Sequence, residues 1–361
     1  TGHLTHAGDL LYQGDPSHAI HHFEKMRDRI NNVEDENHPI SLKIDGGMSF
    51  IMGKDEDNRS FVSYKSGKKR FYDTTSIRAT GKKHYEKLLV PALYATMKMK
   101  KMKPGTAIQA DSLYVDKPKK DSFSSNTVEY MTPSEQASFA FAPHSQYEVR
   151  GNAMNKLPDD PDHSLIKTNR VFAPELTLQG KQFNEPEEEI NSELQKNIGG
   201  AKMILDDEEL QSFAADLPLN KKLHTALQSY SDHSTRTTGE RSTSDFGAFL
   251  LKHMGKRRVS ARLKKEELES HMATIGDNKH HFDSLFGAHN MLTNAKNIML
   301  DHLAGHNHLF NIQPHRDHEH EGLVATSGET GTMAKFVREG PNGFSAKNQE
   351  RSLALGKSRS S

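Results

Sequence analysis

An α+β fold is predicted, on two patterns of apolar spacing and one change of texture between them. Between residues 40 and 150, apolar residues alternate with polar ones in short runs bounded by Gly, Pro, Asp and Asn, as antiparallel strands require. From about residue 155 the chain turns to helical spacing, which persists to residue 304. The join is Pro158-Asp159-Asp160-Pro161, a linker-like stretch. Three parts follow: residues 1–154 and 311–361 as the two pieces of a sheet-bearing core, and 155–310 as a mainly helical insertion.

The elements take their places in order. Leu10, Leu11, Ala19, Ile20, Phe23, Met26 and Ile30 recur at helical spacing across Leu4 to Asn31, and Gly14-Asp15-Pro16 breaks the run and starts a second helix. Ile40 to Ile51 and Ser60 to Tyr64 read as two strands of a hairpin around the polar turn Lys54-Asp55-Glu56-Asp57-Asn58. His84 to Met102 reads as a helix with Leu88, Leu89, Leu93 and Met97 turned inward. Pro104-Gly105 ends it before a strand bearing Asp111, and Asn126 to Met131 and Ser138 to Ala142 add further strand-like runs. Helices are expected over residues 187–198, 206–215, 219–230, 244–255, 264–275 and 279–304. In the last of these, Phe282, Leu285, His289, Leu292, Met299 and Leu303 form a face suited to the core. Ser231 to Ser244 reads as a mobile loop, and the glycine- and serine-rich residues after Lys335 as a frayed tail.

Composition narrows the classes. With 361 residues the chain can hold two domains, or one with a large insertion. A mean hydropathy of −0.79 predicts long exposed helices and loops. Cysteine is absent, which excludes disulfides and thiolate chemistry and fits a reducing cytoplasm. No run is long and apolar enough to span a bilayer, so a soluble protein without a membrane partner is expected. The chain opens on Thr1 instead of methionine, as a processed or trimmed chain does. Basic and acidic residues balance at 48 each, so any nucleic-acid binding must come from local patches.

The chemistry gathers around Ser41-Leu42-Lys43-Ile44-Asp45-Gly46-Gly47. On one strand, residues two apart share a face, so Lys43 and Asp45 would project together, and Gly46-Gly47 would let the backbone pass close to a ligand. The same four residues also spell an ordinary strand end and turn. A second stretch lies near the other end: Glu321-Gly322-Leu323-Val324, followed 14 residues after Glu321 by Lys335. A carboxylate and a lysine on neighbouring strands would supply a metal ligand and a phosphate-binding cation.

This set resembles the covalent nucleotidyltransferases: ATP-dependent DNA ligases, RNA ligases and mRNA capping enzymes. Lys43 to Gly46 is similar to their motif I, Glu321 to Val324 to motif IV, and Lys335 to the first lysine of motif V. Ile108 to Tyr114 is similar to motif III, with Asp111 where the family usually has glutamate. Ser63-Tyr64-Lys65-Ser66-Gly67 resembles the S-R-x-G element, with Lys65 replacing arginine. The opening His3-Leu4-Thr5-His6 is similar to that of ligase-like proteins of tailed bacteriophages. The resemblance implies an antiparallel-sheet nucleotidyltransferase core of the ATP-grasp-like ligase adenylation type. It also implies ATP as the nucleotide, Mg2+ or Mn2+ as the metal, and an ATP-dependent RNA or DNA ligase acting on nicked or broken nucleic acid. In those terms Lys43 would be the nucleophile and Asp45 its orienting acid. Gly46, Lys65, Asp111, Glu321 and Lys335 would line the nucleotide, with Glu321 and Asp111 as metal ligands.

Departures set limits on this. Met48 stands where DNA ligases usually carry arginine, Val337 where a second motif V lysine stands, and 210 residues separate Asp111 from Glu321. The stretch after Lys335 is too short for the C-terminal OB domain of capping enzymes and DNA ligases, and these features together favour an RNA-ligase-like or divergent phage DNA ligase over a capping enzyme. The alternative is a catalytically silent ligase-fold protein with a binding or virion-associated structural role. Host cytoplasm and virion are the corresponding locations.

Outside the motifs, Lys252, Lys256, Arg257, Arg258 and Arg262 form the densest basic run, a polynucleotide contact or a solvated face. The cluster Lys65, Lys68, Lys69 and Arg70 carries the same two readings. Histidines crowd residues 302–320, and His302 and His306 share a helix face, the spacing of a metal site as well as of packing histidines. An aromatic for stacking on the base is sought among Tyr130, Phe139 and Phe141.

Overall fold

The computed structural model describes residues 4–134 and 137–359, with side chains described to residue 356; Thr1 and His3 lie outside the described residues. Helix outweighs strand, and the fold is mixed α+β with nearly all strand pairs antiparallel. A short 3₁₀ helix (Ala7–Tyr12) and α1 (Ser17–Ile30) open the chain. Then come β1 (Ile40–Lys43), β2 (Ser49–Lys54), β3 (Ser60–Tyr64), β4 (Arg70–Phe71), α2 (Thr74–Arg78) and α3 (Lys83–Lys98). These are followed by β5 (Thr106–Tyr114), β6 (Ser122–Ser124), β7 (Glu129–Met131), β8 (Phe139–Arg150), β9 (Ala153–Lys156) and β10 (Val171–Phe172). Helices α4 (Glu188–Leu205), α5 (Glu208–Asp216), α6 (Lys221–Arg236), α7 (Thr243–Lys256), α8 (Ala261–Asp277) and α9 (Lys279–Ala304) come next. The chain closes with β11 (Gly322–Thr326), β12 (Met333–Phe336) and α10 (Phe344–Arg359).

Contacts divide the chain into two compact units. The sheet unit is residues 43–177 with 307–320; the helical unit is 1–42, 178–306 and 321–361. In the sheet unit the strand order is β10-β8-β5-β2-β3-β4, with β9 beside β8 and β6-β7 as a separate ribbon. The period of two on β2 and β5 sorts side chains cleanly. Phe50, Met52, Ile108 and Ala110 face α3 and join Leu88, Leu89, Leu93, Phe139 and Phe141 in a buried core. Ser49, Ile51, Ala107, Gln109 and Asp111 take the opposite face, where Ile51, Phe61, Ala107 and Val149 form a small apolar cluster with Tyr72, Tyr147 and Met154 packed against it. A β-bulge interrupts β5 and β8: Ser145 stands opposite Gln109 and Pro143 opposite Ala110, leaving His144 as the extra residue.

The helical unit is built on α9, which packs against α1, α4, α5, α7 and α8. Its expected core face, Phe282, Leu285, His289, Leu292, Met299 and Leu303, is buried. Helix starts follow side-chain caps: Asp207 accepts from Leu210 N–H, Asn220 from Leu223, Ser242 from Asp245 and Ser260 from Leu263. Beside the helices lies the three-stranded sheet β1-β11-β12. Leu4 to His6 extends it, since Lys335 N–H donates to Thr5 O at 2.9 Å and His6 bridges Lys335 in parallel.

Four expectations are corrected. The run Ile40 to Ile51 is not one strand: it breaks after Lys43, and β1 and β2 belong to different sheets, so the β2-β3 hairpin does not carry Lys43. Met97 is 51 % exposed instead of inward, one residue before α3 ends. Ser231 to Arg236 continues α6 instead of looping, with Ser231, Ser234 and Thr235 buried. The expected frayed tail contains α10, and Glu339 before it is fully buried.

The last two corrections share a cause. Arg241, Glu339 and Lys296 are sealed inside the helical unit, at 0, 0 and 1 % side-chain exposure. Glu339 Oε1 lies 3.0 Å from Arg241 Nη2 and 3.4 Å from Lys296 Nζ. Thr293 donates to Glu339 Oε2 at 2.6 Å and Thr235 to Oε1 at 3.1 Å, while Arg241 Nε and Nη2 donate to the Ser231 hydroxyl and carbonyl. Ser231 also donates to Asp9, and Tyr12 pairs with His289 Nδ1 at 2.7 Å. Burial pushes the Glu339 carboxyl up, but Lys296 and Arg241 outweigh it and hold the group well below its usual range. Asp9 is raised by burial to about 6, with Arg241 only partly offsetting. Serines and threonines read as a loop are therefore the hydrogen-bonding wall of a buried ion cluster.

Candidate active site

The strand order places β1, whose residues 40–42 belong to the helical unit and whose last residue, Lys43, opens the sheet unit, next to β11, which begins one residue after Glu321. Thr326 N–H donates to Pro39 O at 3.1 Å and Gly328 N–H to Asn37 O at 2.7 Å. The residue numbers run in opposite senses, so this pair is antiparallel, and the last residue of β1 and the first of β11 lie at the same end of the sheet. Lys335 sits on β12 opposite Val324 of β11. Lys43, Glu321 and Lys335 are all half-buried. Gly322 allows the strand entry: its φ is 157°, and an added Cβ would fall 2.0 Å from Phe336 O.

Asp45 does not share a strand face with Lys43, because the strand has already ended. The carboxylate of Asp45, 2 % exposed, turns into the sheet unit and fastens the segment before β7. Asn126 Nδ2 donates to it at 2.8 Å, and the N–H groups of Thr127 and Val128 both donate to Oδ2. Its own N–H donates to Tyr130 Oη at 2.9 Å, and Ser125 Oγ donates to its carbonyl. The acid proposed to orient a nucleophile thus also ties down residues 125–130. Tyr130, Phe139 and Phe141 are each 3 % exposed or less, so all three are core side chains.

Gly46 and Gly47 make the crossing from β1 to β2 possible. A Cβ on Gly46 would lie 2.6 Å from Asp111 Cβ, and one on Gly47 would lie 2.8 Å from Ser112 Oγ. The backbone three residues after Lys43 therefore rests against Asp111. The Asp111 carboxylate accepts from Ser49 Oγ at 2.5 Å and pairs with His144 Nε2 at 2.9 Å. Burial raises its pKa, but the hydrogen bonds from His144 and Ser49 and the charge of His144 and Lys65 prevail, and the group is held below the usual carboxylate range. Lys65 itself is exposed, in the turn just after β3. Gln109 continues the polar row, donating to Ser49 Oγ at 3.4 Å and accepting from Tyr147 at 2.9 Å.

Sequence reading singled out Asp111 and missed its partners. Ser49 was legible from the register of alternating strands, since it pairs with Asp111 across β2 and β5. His144 was not, because a bulge shifts it out of the alternation.

The basic run is partly neutralised. Arg257 pairs with Glu267, and Arg262 with Glu266 at 2.8 Å. Lys252, Lys256 and Arg258 are exposed at the end of α7. The histidines of residues 302–320 are used in packing and pairing. His302 and His306 fasten Asn184, His315 and His318 face Glu129 at 3.6 Å, and burial lowers His320 to about 4. Among the described residues no group of three or more His, Asp or Glu is gathered to hold a metal ion.

No curated protein and no solved structure matches the chain. No helix among the described residues is long and apolar enough to cross a membrane. A family model described as a family of unknown function (DUF6267) matches residues 1–352, nearly the whole length. The chain therefore belongs to this family of unknown function, DUF6267.

Proposed function

We propose that the protein is a covalent nucleotidyltransferase of the polynucleotide-ligase type. Neutral Lys43 attacks the α-phosphorus of ATP, the bond to pyrophosphate breaks, and the amine loses a proton, leaving a lysyl-AMP phosphoramidate. The adenylate then passes to a 5′-phosphate on RNA or DNA, and a 3′-hydroxyl displaces AMP as the strands join. Lys335 and Lys65 would neutralise phosphate charge, and Asp111 would stand near the sugar.

One observation supports this reading most. Three stretches far apart in sequence share one sheet: β1, which ends in Lys43, lies beside β11, which Glu321 directly precedes, and β11 lies beside β12, which carries Lys335. Magnesium or manganese takes one or two protein carboxylates and completes its shell with phosphates and water, and Glu321 and Asp111 are the acids that the resemblance assigns to it. Bound there, the ion would supply charge neutralisation at the phosphates.

A silent ligase-fold protein is the competing reading, and an observation favours it too. Val337 is 2 % exposed and Met48 packs on the sheet-unit core, so two positions that carry cations in the resembled enzymes are apolar here. Incubation with α-labelled ATP or GTP and magnesium separates the two. An active enzyme acquires a denaturation-resistant label that is labile in acid and stable in alkali, as a phosphoramidate is, and that Lys43→Ala abolishes. Absence of label with both nucleotides would leave the silent reading standing.

A further inference from the structure

Charge is unevenly placed in this neutral chain. Between Arg78 and Lys101 stand seven lysines and arginines and one acid, Glu86. Glu86 is already shared by Arg78 at 3.5 Å and Lys83 at 3.6 Å, while Lys87, Lys98, Lys100 and Lys101 are exposed and make no ion pair among the described residues. The segment is α3 with its flanks. Leu88, Leu89, Ala92 and Leu93 turn one side of the helix onto the sheet, so Lys83, Lys87, Tyr94, Met97 and Lys98, spaced for the other side of a 3.6-residue turn, form a single outward face. That face lies on the back of the sheet, away from Asp111.

Two features distinguish it from an ordinary solvated helix. Lys82 and Lys83 stand at the N-terminal end of α3, where the helix dipole and the open N–H groups disfavour a cation, and no side chain caps that end. Helix stability therefore does not account for these lysines, whereas an anion laid across that end does. Midway along the face, Tyr94 is 54 % exposed and no other aromatic ring packs on it among the described residues, while Tyr64 and Tyr85 close on each other at 4.6 Å. A lysine row about 22 Å long with a bare aromatic inside it matches an unpaired polynucleotide, with phosphates on the lysines and a base on the ring. A duplex, whose bases already stack on one another, would leave Tyr94 without a base to cover.

We propose that the outer face of α3 binds single-stranded nucleic acid at a place separate from the site of chemistry, with Lys83, Lys87 and Lys98 on phosphates and Tyr94 stacked on a base. This goes beyond the ligase reading and does not rest on it, because a catalytically silent protein would hold a strand there just as an active one would.

The test is fluorescence anisotropy of the full chain with a labelled oligothymidylate of about 20 nucleotides and with the matching duplex, beside co-sedimentation with phosphatidylserine-containing vesicles. The single strand is expected to bind about fivefold or more tightly than the duplex; Tyr94→Ala should weaken it by about fivefold to a hundredfold, and Tyr94→Phe should stay within about twofold of the parent. Replacing Lys83, Lys87 and Lys98 together by Gln should lower the slope of log affinity against log salt by about two. Circular dichroism confirms that each variant is folded. No binding of the single strand, full affinity in Tyr94→Ala, or an unchanged salt slope in the triple variant overturns the proposal. Vesicle binding governed by the same lysines with no strand bound overturns it in favour of a membrane surface. Affinity lost in Lys252→Glu with Lys256→Glu and kept in the α3 variants moves the contact to α7 and overturns it too. None of these outcomes bears on labelling of Lys43, which tests the nucleotidyltransferase reading by itself.

Discussion

Replacing Glu339 by Gln removes the one strongly ionised acid shared by two sealed cations, while keeping oxygen and shape for Thr293 and Thr235. Breaking a buried pair by removing one partner costs about 3–5 kcal/mol, because the remaining charge stays out of water. In a unit of roughly 200 residues each kcal/mol moves the melting temperature by about 2–4 °C, so Glu339→Gln should lower Tm by roughly 10 °C. Lys296→Met is the contrast. Burial already pushes the Lys296 ammonium pKa down despite Glu339, and its removal leaves Arg241 and Glu339 as a balanced pair. That substitution should cost less than about 2 kcal/mol, and in the double variant it should recover part of the Glu339→Gln loss. Differential scanning calorimetry of the three variants decides the matter. If Lys296→Met costs as much as Glu339→Gln, or if the second leaves Tm within about 2 °C, the charge count does not govern this core.

Other outcomes follow from single side chains. His320 is half-buried with both ring nitrogens shut off from solvent, and this desolvation lowers its pKa from 6.5 to about 4. Its contribution to stability is complete above pH 6.5 and is lost as pH falls toward 4; urea midpoints should drop over that window, by at most about 3 kcal/mol from this group, and His320→Phe should flatten the fall. Asp9 runs the other way: with a pKa raised to about 6, its stabilisation is complete below pH 3.8 and is lost as pH rises through 6, so Asp9→Asn should gain on the parent between pH 4 and 7 in the same assay. Asp45→Ala should destabilise the sheet unit by about 2–4 kcal/mol, since two backbone donors and Asn126 lose their acceptor; amide exchange at residues 126–128 would report it. If the α7 end contacts nucleic acid, Lys252→Glu with Lys256→Glu should reduce the salt dependence of filter binding by about two counterions, and Arg262→Glu, already paired with Glu266, by less.

The helices were largely legible from apolar spacing: α5 to α8 start where a 3.6-residue rhythm meets the caps Asp207, Asn220, Ser242 and Ser260, and α4 and α9 follow the rhythm without a side-chain cap. Strand content was legible from alternation, but strand partnership was not. Nothing local distinguishes a run that continues through Ile44 to Met48 from one that leaves its sheet there, since the deciding contact is Gly46 against Asp111, far along the chain. The ion cluster was invisible for the same reason: Arg241 and Glu339 look like solvated charges until the fold closes a sequence separation of 98. Asp111 was found by motif and His144 missed by it, because a bulge breaks the very periodicity used to read strands.

The cluster also sets an order of events during synthesis. Asp9 emerges first, Arg241 and Lys296 follow, and the acid that balances them arrives 98 residues after Arg241. Until Glu339 clears the ribosome, α6 and α9 hold cations that cannot be buried without a counter-charge, so nascent chains halted before residue 339 should remain open to protease around those helices, and the completed chain should close.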